Sequence, residues 1–74
     1  MNIKMLEKII TELLHQNFAT NKLERWELGR PSQASVAIND ATPEMTIVLQ
    51  VEHLGSFGFV RNYAKVSEAV NYAL

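Results

Sequence analysis

Seventy-four residues, 47% of them hydrophobic and 20% charged, make one small domain spanning 1–74 and exclude a disordered chain. Seven basic against eight acidic side chains leave a net charge of −1, without the bulk positive excess that phosphate binding draws on. Cysteine is absent, which excludes disulfides, thiolate nucleophiles and Cys-type zinc sites and points to a cytoplasmic protein. A chain this short buries only about 60% of its unfolded surface, so self-association is a second way to gain buried area. No apolar run approaches the roughly 20 residues needed to span a bilayer, so no membrane partner is expected. The alternation Ile3, Lys4, Met5, Leu6, Glu7, Lys8 lacks the unbroken apolar core of a signal peptide.

The periodicity predicts a first helix from Ile3 to Asn17. Ile3, Leu6, Ile10 and Leu13 recur at spacings of three and four, and Met5, Ile9 and Leu14 widen the stripe. Lys4, Glu7, Lys8, Thr11, Glu12, His15 and Gln16 take the opposite side, and Asn2 caps the start. The mixed sign of that polar face favours a helix covering a sheet over one lying on a membrane surface. Leu23 to Leu28 fits a strand with Trp26 and Leu28 on one face, or a helical turn grouping Leu23 with Trp26 and Glu27. The following Gly29-Arg30-Pro31-Ser32 link favours the strand, because proline biases its predecessor towards extended backbone.

Ala34, Val36 and Ile38 alternate with Ser35, Ala37 and Asn39 as a second strand. Asn39 to Pro43 is rich in turn formers and connects it to Met45–Glu52, the clearest strand in the chain. There Met45, Ile47, Leu49 and Val51 fall on one side, and Thr46, Val48, Gln50 and Glu52 on the other. Leu54-Gly55-Ser56 should break that strand. Phe57 to Val60 then forms a fourth in which the two phenylalanines share a face and Gly58 weakens the ladder or marks a bulge or a close approach. Asn62 caps a last helix from Tyr63 to Leu74, with an apolar stripe of Val66, Ala69, Val70, Ala73 and Leu74. The expected class is α+β in the order α-β-β-β-β-α. It is a two-layer sandwich, with both helices on one face of an antiparallel sheet of three to four strands.

Residues that carry catalysis are scarce. His15 and His53 lack the i, i+4 spacing of a helical metal pair, and surface hydrogen bonding accounts for both. Asp40 fits a turn role. Glu24, Glu27, Glu44 and Glu52 could approach one another across a sheet, but nothing in their positions provides the burial that acid–base chemistry needs. Ser56 lies near His53 without a third partner, and Gly55 and Gly58 do not open a helix as a phosphate loop would. The reading is a non-catalytic protein without cofactor or metal.

Ala64-Lys65, Ala69 and Ala73-Leu74 are similar in spacing to the final helix of double-stranded-RNA-binding domains, which run α-β-β-β-α at about this length. The chain departs from that family where Arg61 and Asn62 stand in place of its two usual lysines, and in the extra strand of Ser35 to Asn39. The resemblance implies phosphate contacts from Arg61 and Lys65, with Arg25 and Arg30 as further cationic candidates.

The expected outer sheet face carries Arg25, Glu27, Ser35, Ala37, Thr46, Val48, Gln50 and Glu52, the mixed composition of a solvated sheet or a modest protein interface. Trp26 is either core or, beside Arg25 and Arg30, an interface anchor of the type enriched at binding hot spots. Phe57, Phe59 and Arg61 form a second candidate contact surface, and they too could simply close the core. Edge strands offer a third route, to a partner or a second copy. These residues point to contact with another macromolecule. That is first of all a protein, as for an accessory regulator or inhibitor of the kind phages and mobile elements encode, and as the alternative a nucleic acid.

Overall fold

The computed structural model describes residues 2–19, 31–51 and 53–74. They form α1 (Ile3–Ala19), β1 (Pro31–Asn39), β2 (Glu44–Val51), β3 (Gly55–Asn62) and α2 (Val66–Ala73). The sheet is three-stranded and antiparallel in the order β1-β2-β3, an α+β layout. Leu23–Leu28, expected as the first of four strands, lies outside the described residues. Ser35 to Asn39 lies within β1, the first strand among the described residues. The element order α-β-β-β-α is the one that the double-stranded-RNA-binding resemblance implies.

α1 starts as its sequence dictates: the Asn2 side-chain Oδ1 accepts from the Met5 amide at 2.7 Å, and the Asn2 carbonyl accepts from the Leu6 amide at 3.1 Å. This satisfies donors that a helix start leaves open. The helix continues two residues past the expected end at Asn17. Its buried line is Leu6, Ile10, Leu14 and Phe18, one residue every four, whereas Leu13 is only partly covered and Met5 is exposed. Asn17 is not an exit signal: it is buried, and its side-chain Nδ2 donates to the Ala73 carbonyl near the end of α2.

β2 is the centre of the sheet. Met45, Ile47, Leu49 and Val51 are buried in alternation, as their spacing predicts. The first three join the α1 line and Ala69 and Ala73 of α2 in one core cluster. Ala34, Val36 and Ile38 of β1 stand opposite Leu49, Ile47 and Met45, and they pack against that cluster. Phe57 and Phe59 of β3 stand opposite Leu49 and Ile47 and so share the inward face, as expected. Gly58 causes no bulge, since β2 and β3 stay in register from end to end, and the irregularity lies instead between Pro31 and Gln33.

The β1–β2 turn is held by Asn39, whose Oδ1 accepts from the Ala41 amide at 3.1 Å. The β2–β3 turn closes through the Leu54 amide and the Val51 carbonyl at 3.1 Å, with His53 at φ 69° and Gly55 at φ 99°. β3 begins at that glycine, two residues earlier than Phe57. It also runs through Asn62, which is strand rather than helix cap.

α2 accordingly starts later than the sequence suggests, with Lys65 at its N-cap. Its buried face is narrower than the expected stripe: Ala69 and Ala73 are buried and Val70 is partly covered, but Val66 and Leu74 are 45% and 54% exposed. Val66 opens this eight-residue helix and Leu74 is its C-cap, so both sit at its margins.

Candidate functional site

The candidate residues that the structure describes converge on the β3–α2 corner. A strand places alternate side chains on one face, so Phe57, Phe59 and Arg61 all lie on the helix side of β3. α2 brings Tyr72 over the same strand, its ring 6.4 Å from that of Phe59 in an edge-on arrangement at 64°. The Arg61 guanidinium carbon sits 4.7 Å from the Phe59 ring centre and 5.7 Å from that of Tyr72. Each such contact attracts a cation to the ring quadrupole, at about 0.5–1 kcal/mol for an exposed pair. Arg61 also donates from Nη1 to the Val60 carbonyl at 3.2 Å. It forms no ion pair with a described residue. The corner is thus an aromatic patch carrying an exposed positive charge, with no carboxylate among the described residues paired to it.

Lys65 precedes α2 as its N-cap, exposed and without a side-chain capping bond. A positive charge is unfavourable at the positive end of a helix. Glu68 offsets it from the first turn, and its Oε2 accepts from the Ala64 amide at 3.0 Å. Phe57 is half-buried beside Leu49 and belongs more to the core margin than to the patch. Arg25, Trp26 and Arg30 fall outside the described residues, as do Glu24, Glu27 and Glu52.

The sequence reading missed Tyr72. Its signal was available in one respect: it sits three residues from Ala69, within the same helical face. Recognising it required knowing which flank of α2 turns towards β3, and that follows from packing rather than from periodicity.

Among the described residues the opposite, outer face of the sheet carries little charge, with Glu44 at the start of β2. Gln33, Ser35, Ala37, Thr46, Gln50, Ser56 and Val60 are exposed there, and Val48 is half-covered at its middle. Two shallow open hollows adjoin this region, one lined by Ser32, Gln50, Val51, His53 and Gly55, the other by Gln33, Ser35, Val48 and Ser56 among others. Both are open and lined largely by polar side chains, unlike the enclosed, mostly apolar clefts that hold small molecules. Among the described residues no group of three or more His, Cys, Asp and Glu side chains could hold a metal ion. Among them, too, no helix is long and apolar enough to cross a membrane.

Comparison with protein-family models, curated proteins and solved structures finds no match to this chain.

Proposed function

We propose that the chain is a non-catalytic binding protein that acts by contact with another protein, with Arg61, Phe59 and Tyr72 as the contact centre. The observation that carries this reading is the exposed Arg61 guanidinium lying over two rings with no ion-pair partner among the described residues. Arginine and aromatic side chains dominate binding hot spots because a rigid ring and a delocalised cation lose little freedom on association. The matching partner surface presents a carboxylate for Arg61 and an apolar edge for the rings. A small regulator or inhibitor working in the cytoplasm suits this chemistry, and the cysteine-free composition accords with that compartment.

The test is affinity capture on the source-cell lysate, with and without nuclease, using the parent chain and Arg61→Ala side by side. The reading expects one protein recovered equally with and without nuclease, and lost with Arg61→Ala while circular dichroism stays unchanged. Equal recovery by both chains would remove Arg61 from the contact.

The α-β-β-β-α order favours one second reading, a nucleic-acid-binding module using Arg61 and Lys65. Asp40 and Glu44 around the β1–β2 turn, and Glu68 beside Lys65, weigh against it by placing negative charge near a phosphate path. Salt separates the readings, since phosphate contacts weaken steeply as salt rises and an aromatic protein contact does so far less.

A further inference from the structure

The two margins of the sheet differ. On β1 two of the outward amides are occupied by α1 side chains: Ala34 donates to His15 Nε2 at 3.0 Å and Ile38 donates to Glu7 Oε2 at 2.8 Å, with Val36 between them. These bonds fix the parity of the ladder, because amides alternate in direction along an antiparallel strand. Following the register from β1 through β2, the amides of Ser56, Gly58, Val60 and Asn62 point away from the sheet on β3. The Tyr63 amide, of opposite parity, agrees by donating inward to the Pro43 carbonyl at 3.0 Å. No hydrogen bond from those four outward amides is found among the described residues. The segment Gly55–Asn62 holds no proline, and its one charge, Arg61, is on the helix side. Among the described residues the usual devices that blunt a strand edge are thus largely missing from β3 and present on β1.

We propose that β3 pairs antiparallel with β3 of a second copy across a two-fold axis, giving a continuous six-stranded sheet. This inference goes beyond the proposed function and rests on separate observations. A strand paired antiparallel with itself is self-complementary, every outward donor meeting an outward acceptor of the same sequence. Both ends of the doubled sheet are then β1 strands on which His15 and Glu7 already hold the Ala34 and Ile38 amides, which disfavours adding a further strand. The single charge suits this pairing as well. Antiparallel alignment sets the Arg61 end of one strand beside the Gly55 end of the other, keeping the two guanidinium groups apart. Arg61 already donates to the Val60 carbonyl, an oxygen that retains a second lone pair for the incoming strand. At the middle, Gly58 removes side-chain bulk from the outer face. The resulting dimer carries two Arg61–Phe59–Tyr72 patches on one face.

Sedimentation of the full chain from micromolar to millimolar concentration, paired with amide exchange by NMR, tests this. The expected result is a monomer–dimer equilibrium in which exchange at Ser56, Gly58, Val60 and Asn62 slows as concentration rises, while Ala34 and Ile38 stay unchanged. A side chain is tolerated at position 58, where a Cβ would meet Val48 Cγ2 at 3.7 Å and the Ile47 carbonyl oxygen at 4.0 Å, both ordinary van der Waals contacts. Gly58→Lys therefore places like charges across the axis and should leave only monomer at every concentration, as should Ser56→Lys if the first variant does not fold. A monomer at millimolar concentration would overturn the proposal. So would a dimer that persists in the lysine variants, or protection that appears on β1 instead.

Discussion

His15 on α1 accepts a hydrogen bond from the Ala34 amide on β1, so a helix side chain occupies a place that another strand would otherwise take. The geometry requires an unprotonated Nε2, with the ring proton on Nδ1. The ring also meets Phe18 edge-on, at 5.6 Å and 85°, which holds it against the helix. Replacing His15 with alanine should speed exchange at the Ala34 amide selectively and cost about 0.5–1.5 kcal/mol in urea unfolding. The corresponding change at Glu7 should act on Ile38. The double variant should associate at lower concentration than the parent chain, since it opens the second margin of the sheet. Light scattering reads that outcome.

Asn17 joins α1 to α2 through the Ala73 carbonyl, 56 residues away in sequence. Asn17→Leu keeps the volume and removes the donor, leaving a buried acceptor unsatisfied. The expected loss is about 1–3 kcal/mol by chemical denaturation. An unchanged midpoint would mean that another donor reaches Ala73.

Lys65 is an unfavourable residue at its own position. Lys65→Asp supplies an N-cap acceptor and reverses the charge at the helix start, and should stabilise the fold by about 0.5–2 kcal/mol. For a domain near this size, each kcal/mol corresponds to about 4–8 °C in Tm. If nucleic-acid binding is the function, the same variant should bind more weakly as it melts later, whereas the protein-contact reading expects no matching loss.

Gly55 and Gly58 make a controlled pair. Gly55 has φ 99° with open space around its missing Cβ, so backbone conformation rather than crowding requires glycine there. Gly55→Val should cost about 1–3 kcal/mol. Gly58 lies in regular strand with room for a methyl group, and Gly58→Ala should gain about 0.5–1 kcal/mol. Thermal unfolding of the two variants should move Tm in opposite directions.

The strands inside 31–62 were legible because their alternation is strong. Met45, Ile47 and Leu49 needed no tertiary knowledge, and Phe57 and Phe59 shared a face as their spacing requires. The helix ends were less legible. Phe18 extends the core line of α1 beyond a polar Asn17 that sequence alone treats as a stop, because its bond to Ala73 is visible only once α2 is docked. Asn62 looked like a cap because asparagine favours that role locally, but ladder pairing with Glu44 keeps it in β3. The candidate patch was half legible: Arg61 follows Phe59 with the period of a strand, whereas Tyr72 reaches it from another element.

The meander also has a kinetic consequence. Each strand pairs with its neighbour in sequence, so both hairpins close over short loops and incur little closure entropy. The Asn17–Ala73 bond closes a loop of 56 residues and gains nothing until the sheet beneath it exists. Substitutions in β2 should therefore slow folding, whereas Asn17→Leu should chiefly speed unfolding, leaving α2 as the last element to dock and the first to leave.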